Sequence, residues 1–126
     1  MTAHSGTAIS LDDLADRHLD AATVASSGRS AETVYGGSDH VLRQTMIALT
    51  AGSALSEHEN PGEATLQVLR GRIRLTAGAD AAEGGPGELL VIPASRHALE
   101  ALEASVVLLT VGKQPLGPKV TLEGCR

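Results

Sequence analysis

The sequence predicts an all-β protein, an antiparallel sandwich or barrel preceded by one short helix. Two observations carry this prediction. From His40 onward, the apolar residues form short runs that are bounded by glycine or proline, with turn-forming residues between them. The chain also has no Phe, no Trp and one Tyr. Its core must therefore be built from Leu, Val, Ile and Ala, and the branched members of this set suit pleated sheet surfaces.

The length and charge of the chain restrict its class. Its 126 residues fit one domain with one core. The net charge is −5 at pH 7 and no basic stripe is present, so we expect no nucleic-acid partner. The longest apolar runs, residues 89–92 and 106–109, are too short to span a bilayer, so we expect no membrane partner. The lone Cys125 cannot form a disulfide within the chain, which favours a cytoplasmic location.

The segment that begins at Ser10 predicts the helix. Ser10 is a suitable N-cap residue, and Asp12 and Asp13 lie in the first turn, where carboxylates interact favourably with the helix dipole. Apolar residues then recur along one face, which is typical of a helix that packs on a core. These residues are Leu11, Leu14, Leu19 and Ala22.

Six apolar runs follow and predict the main strands. We expect a shorter strand near Thr33–Tyr35, a turn-rich connection over residues 77–87 and an edge strand at Lys119–Leu122. These elements divide the chain into a tail with a short helix, residues 1–30, and a single β-barrel, residues 31–126. The six runs are residues 41–52, 64–71, 72–78, 87–93, 97–102 and 105–112.

Two predicted strands carry apolar residues on both faces. Leu69 faces away from the expected barrel interior, and the run at residues 105–111 is apolar at both parities. A small barrel buries only the inner face of its strands. We therefore predict that a partner subunit covers the outer face, and that the protein is a homodimer.

Two motifs in the middle of the chain carry the candidate site. The first reads GSALSEHENPGEATLQVLRG and places His58 after a glycine and five further residues. The second reads GELLVIPASRHALEAL and places Pro93 after a glycine and five further residues, with His97 shortly after the proline. This two-part pattern resembles that of the cupin superfamily. The resemblance implies a cupin-type double-stranded β-helix, or jelly-roll, barrel with a site in its interior.

The resemblance also implies metal ligands. A typical cupin holds a metal ion with three histidines and a glutamate from these motifs, and two of the four positions carry over, His58 and His97. Asn60 stands where the family has its second histidine, and Ala64 stands where it has the glutamate. The candidate ligands for one divalent ion, zinc, iron, nickel or manganese, are therefore His58, His97 and Asn60.

Three interpretations of the histidine pair remain open. The pair binds a metal ion, or it binds a small ligand in a metal-free pocket together with Asn60 and Gln44, or it is structural and satisfied by the backbone. Strand alternation predicts that a small pocket without large aromatic side chains surrounds the pair. The predicted pocket-lining residues are Gln44, Met46, Ala64, Leu66 and Val68.

The function predicted from these features is that of a small cupin-domain protein that binds a small molecule, with or without a divalent metal ion. The alternative is a metal-dependent cupin enzyme of the oxygenase, isomerase or lyase type that acts on a small organic substrate. A third hypothesis is an interaction module whose main surface is an oligomer interface. No nucleophile paired with a base and no phosphate-binding loop accompanies the histidines, so the sequence leaves open whether the chain is an enzyme.

Overall fold

The computed structural model describes residues 6–58 and 62–113, and of residues 57 and 58 it describes the backbone alone. Within this part of the chain, one helix precedes nine strands, which form two antiparallel sheets. This architecture confirms the predicted all-β jelly-roll barrel with a short N-terminal helix. The elements are α1 (Leu11–Val24), β1 (Arg29–Gly36), β2 (Leu42–Leu49), β3 (Ala54–His58), β4 (Gly62–Arg70), β5 (Ile73–Ala77), β6 (Asp80–Gly84), β7 (Leu89–Ile92), β8 (His97–Ala101) and β9 (Ser105–Lys113).

The helix α1 begins where its sequence predicts. The Ser10 Oγ accepts a hydrogen bond from the backbone N–H of Asp13 at 3.2 Å, which satisfies one of the otherwise unpaired donors of the first turn. Leu14, Ala15 and Ala22 are buried on the face that packs against the barrel. Burial of one leucine side chain of this kind contributes about 1.5–3 kcal/mol. Among the described residues, no helix is both long enough and apolar enough to cross a bilayer.

The first sheet, which we call the large sheet, has the strand order β1-β2-β9-β4-β7. β2 pairs with β9 from Leu42 to Leu49 without a bulge, so side chains alternate strictly between the two faces of β2. Ile47 and Leu49 belong to the cluster in the barrel interior. Met46 and Ala48 belong to a second cluster, on the outer face.

The second sheet, the small sheet, has the order β3-β8-β5-β6 and closes the barrel. Its members of the interior cluster are Ile73, Leu75, Leu99 and Ala101. β6 lies where the sequence predicts a turn-rich connection, and that prediction is wrong for residues 80–84. The segment has no hydrophobic periodicity, but its pairing with β5 supplies the backbone hydrogen bonds of a strand. The edge strand predicted at residues 119–122 lies outside the described residues.

The outer face of the large sheet is covered by α1 of the same chain. Val106 and Leu108 are buried there, and the partly buried Leu69 packs against the same cluster. The apolar outer residues that prompted the homodimer prediction therefore have a cover within one chain. That argument no longer requires a partner subunit, and the homodimer stays a prediction.

The turn between β4 and β5 separates the two sheets. Gly71 has φ +77, and a Cβ at this position would lie 2.2 Å from the carbonyl oxygen of Ala104, so only glycine fits without a shift of the backbone. The buried Ser105 holds this turn. Its hydroxyl contacts the backbone N–H and carbonyl of Arg72 at 3.0 and 3.1 Å and the carbonyl of Glu103 at 2.7 Å.

Candidate functional site

Two connections bring the candidate site to one end of the barrel. β3 ends at His58 shortly before β4 begins, and β7 ends at Ile92 shortly before β8 begins at His97. The register of the large sheet places Arg43 opposite Val111, Val111 opposite Ala64, and Ala64 opposite Ile92. We call this end the mouth of the barrel, and we define it by Arg43, Ala64, Ile92, His97 and Val111.

His97 is the buried polar residue at the mouth. Its residue exposure is 2%, and it alternates with Leu99 and Ala101, which belong to the interior cluster. Its Nδ1 lies 3.1 Å from the carbonyl oxygen of Ser95. Because a carbonyl oxygen only accepts hydrogen bonds, Nδ1 carries a proton, and in the neutral ring Nε2 holds the lone pair. A backbone carbonyl on one ring nitrogen is also the usual arrangement for a histidine that binds a metal through the other.

His58 lies beside His97 rather than across the cavity from it. The two are Cα partners on the neighbouring strands β3 and β8. Cα atoms of such partners are about 4.5–5.5 Å apart in antiparallel sheets. The register shifts between Leu55 and His58, so the backbone of β3 is irregular immediately before the histidine. From the sequence alone we expect His97 to come from a strand across the cavity from His58, and this is wrong, because the two histidines lie on neighbouring strands of one sheet.

The third predicted ligand, Asn60, lies outside the described residues, as does the side chain of His58. Within residues 6–58 and 62–113, no group of three or more His, Cys, Asp or Glu side chains could hold a metal ion. His97 is thus the one predicted ligand whose side chain the structure describes.

Three of the predicted pocket-lining residues, Ala64, Leu66 and Val68, are buried members of the interior cluster. The structure places the other two, Gln44 and Met46, on the outer face of β2. Met46 packs in the cluster beneath α1, and the Gln44 Nε2 donates to the Thr110 Oγ1 at 3.1 Å.

The interior positions of β2 near the mouth are instead Arg43 and Thr45, which were not predicted from the sequence. They share the parity of Ile47 and Leu49, and both are half-buried. The segment MIAL is apolar at both parities, so its alternation carries no signal of which face is the inner one. Because Met46 and Ala48 pack against α1, the opposite face of β2 is the inner one.

An open depression of about 840 Å³ lies near the mouth, against the outer side of the large sheet. Leu42, Thr65 and Thr110 line it on outward-facing positions, and Val91 on the edge strand β7 forms one wall. Ala64 and Ile92, which belong to the mouth, also line this depression, whereas His97 does not.

No protein-family model matches the chain, and no curated protein matches it. Solved structures do match. A conserved protein of unknown function from Streptococcus pyogenes is 28% identical, with a TM-score of 0.65, over 73% of this chain and 80% of that one.

Two further matches are longer proteins. A cupin 2 conserved barrel domain protein from Leptotrichia buccalis is 26% identical, with a TM-score of 0.62, over 68% of this chain and 41% of that one. A salicylate 1,2-dioxygenase from Pseudaminobacter salicylatoxidans is 18% identical, with a TM-score of 0.66, over 79% of this chain and 33% of that one. This chain therefore spans less than half of either protein. The likeness to the dioxygenase is one of fold alone.

Proposed function

Because this chain is a small cupin-type protein, we propose that it binds a small organic molecule inside the barrel, at the mouth. The observation that carries the proposal is the burial of His97 on an interior face whose neighbouring cluster members are apolar. The other buried polar residue among those described, Ser105, contacts the backbone of the β4–β5 turn, away from the mouth, so His97 is the buried polar residue at the proposed site. An imidazole with apolar walls can orient a small ligand by one directed hydrogen bond.

The proposed site also holds one divalent ion, zinc, iron, nickel or manganese, through His58 and His97, with Asn60 as the third ligand. The neighbouring positions of the two histidines and the protonated Nδ1 of His97 support this part of the proposal. When bound, such an ion polarises an oxygen of the ligand as a Lewis acid. The Ser95 carbonyl holds the ring of His97 in place.

A second candidate function is a metal-dependent enzyme of the oxygenase, isomerase or lyase type. The irregular backbone before His58 favours it, because such irregularities in strands often lie beside active sites and re-aim a side chain. The dioxygenase with the same fold shows that a barrel of this type can house an enzyme, although fold does not determine reaction.

Ligand binding is tested by thermal unfolding of the purified chain against a collection of metabolites. A ligand at one hundred times its Kd stabilises the folded state by about 2.7 kcal/mol, so a specific compound raises the Tm by several degrees. We expect the shift to vanish in His97→Ala and to persist in His40→Ala, a matched change at an exposed histidine. If no compound shifts the Tm, or if the same shift remains in His97→Ala, the proposal is wrong.

Metal binding is tested by elemental analysis of protein purified without added metal, and again after incubation with each of the four ions. We expect about one ion per chain in wild type and in His40→Ala, and none in the double variant His58→Ala, His97→Ala. Less than a tenth of an ion per chain after every incubation would remove both the metal and the enzyme candidate. Binding of organic ligands would remain as the function.

A further inference from the structure

The mouth carries a cation that the proposed site does not use. Arg43 is the interior residue of β2 nearest this end, since its register with Val111 continues without a bulge to the buried Leu49. Its side chain is half-buried. A guanidinium that loses part of its hydration regains free energy when a group of opposite charge pairs with it.

Arg43 has no such partner in the part of the chain that the structure describes, where its side chain makes no hydrogen bond and no ion pair. Two other arginines have partners of opposite charge. Arg70 lies 3.2 Å from Asp12, and Arg74 lies 2.8 Å from Glu83. Arg17 and Arg29 also make no side-chain ion pair among the described residues, but both are exposed, so Arg43 differs from them in being half-buried without a partner.

The surroundings of Arg43 are apolar and positively charged. Its row across the inner face of the large sheet continues through Val111, Ala64 and Ile92, which are all buried. Lys113 shares the parity of Val111 on β9, and its Nζ donates to the carbonyl oxygen of Gly37. Among the described residues, no Asp or Glu lies on the inner face of this sheet. Within the described ranges, the inner face of the large sheet at the mouth therefore carries positive charge, in a chain whose net charge is −5.

We infer that the mouth binds the carboxylate of a small organic anion through Arg43, with the apolar part of that anion against Ala64, Ile92 and Val111. The inference rests on the proposed function and names the chemical class of its ligand. A guanidinium presents two parallel N–H donors that match the two oxygens of a carboxylate. Lys113 adds positive potential, and the imidazole of His97 lies at the same end of the barrel.

The experiment compares acids with neutral analogues of the same shape. Benzoate and hexanoate are titrated calorimetrically beside benzamide and hexanamide, with inorganic phosphate as a second anion. We expect both acids to bind at least tenfold more tightly than their amides. Arg43→Gln is expected to weaken binding of the acids about tenfold or more and to leave the amides unchanged. Arg74→Gln, a matched change at an arginine on the outer face of the small sheet, is expected to change neither.

The outcomes separate the inference from the proposed function. If neutral compounds bind as well as acids, or if Arg43→Gln leaves acid binding unchanged, the carboxylate assignment is wrong and ligand binding in the barrel stands. Binding of phosphate without binding of either acid also overturns the assignment. If no acid binds, the carboxylate assignment is wrong, and if no compound of the metabolite collection binds either, the proposed function is wrong as well. Circular dichroism of each variant confirms that loss of binding is not loss of fold.

Discussion

The two ends of the barrel interior differ in chemistry. At the end opposite the mouth, which we call the closed end, the interior side chains are apolar and inaccessible to solvent. The helix α1 covers the outer face of the large sheet at the same level, over Met46, Ala48 and Val106. The closed end is defined by Leu49, Val68, Ile73, Ala101 and Val107, each with an exposure of 0%.

The mouth contains polar groups in equivalent interior positions. On the inner face of β2, Arg43 and Thr45 lie toward the mouth, and Ile47 and Leu49 lie toward the closed end. On the inner face of β8, His97 lies at the mouth and Ala101 at the closed end. The same strands thus supply stability at one end and polar groups at the other. The proposed site therefore lies where the interior has less apolar burial, next to a rigid apolar core.

The largest expected effect comes from a cavity at the closed end. Leu49→Ala removes a side chain with 0% exposure, and a truncation of this kind costs about 2–5 kcal/mol of unfolding free energy. Urea unfolding measures it. Leu89→Ala, at a side chain that is 61% exposed, is the control, with an expected change within about 0.5 kcal/mol. Equal losses in the two variants would mean that the closed end is not the source of stability.

The opposite sign is expected at the mouth. Arg43→Leu replaces a partly desolvated charge among apolar neighbours, so we expect it to raise the unfolding free energy by about 0.5–2 kcal/mol. The same variant is expected to lose binding of benzoate. If Arg43→Leu has a lower unfolding free energy than wild type, with the same slope of free energy against urea concentration, the arginine contributes to the stability of the fold.

The attachment of α1 to the barrel is expected to weaken in acid. The His18 Nε2 donates to the Glu32 carboxylate at 2.8 Å, and this hydrogen bond is the main reason that the pKa of Glu32 lies below its usual value of 4.5, since burial acts in the opposite direction. The folded chain then binds fewer protons than the unfolded chain. The contribution of Glu32 is therefore complete above about pH 4.5 and is lost as the pH falls through the lowered pKa.

Urea midpoints measured from pH 7 to pH 3 test this. The decrease in the urea midpoint between pH 7 and pH 3 is expected to be smaller in Glu32→Gln than in wild type. Asp20→Asn removes a carboxylate that makes no hydrogen bond within the described residues, and it serves as the control. If Glu32→Gln follows the wild-type curve, the contact between His18 and Glu32 does not contribute to the attachment of the helix.

The smallest effect on stability is expected on the edge strand β7, an exposed part of the outer face of the large sheet away from Leu69 and residues 105–111. Val91 is 76% exposed on the edge strand β7, so Val91→Asp should change the unfolding free energy by no more than about 0.5 kcal/mol. If a second copy packs on this edge, sedimentation velocity should show a dimer in wild type and a monomer in the variant. A wild-type chain that sediments as a monomer contradicts the homodimer prediction.

Much of the fold could be predicted from local features. The N-cap at Ser10 predicted where α1 begins, and the glycine-bounded apolar runs predicted β2, β4, β5, β7, β8 and β9 but not β3. β6 could not be predicted in this way, because its small and polar residues have no periodicity and its strand conformation depends on pairing with β5.

For the site, the sequence by itself determined that two histidines occur in two barrel motifs and that the interior is free of large aromatic side chains. Only the tertiary structure decided that His58 and His97 are neighbours in one sheet and that Arg43, not Gln44 or Met46, belongs to the inner face. The physical reason is that β2 is apolar at both parities where it is buried on both sides. Its inner face is therefore decided by where α1 packs, a contact between segments that are distant in the sequence.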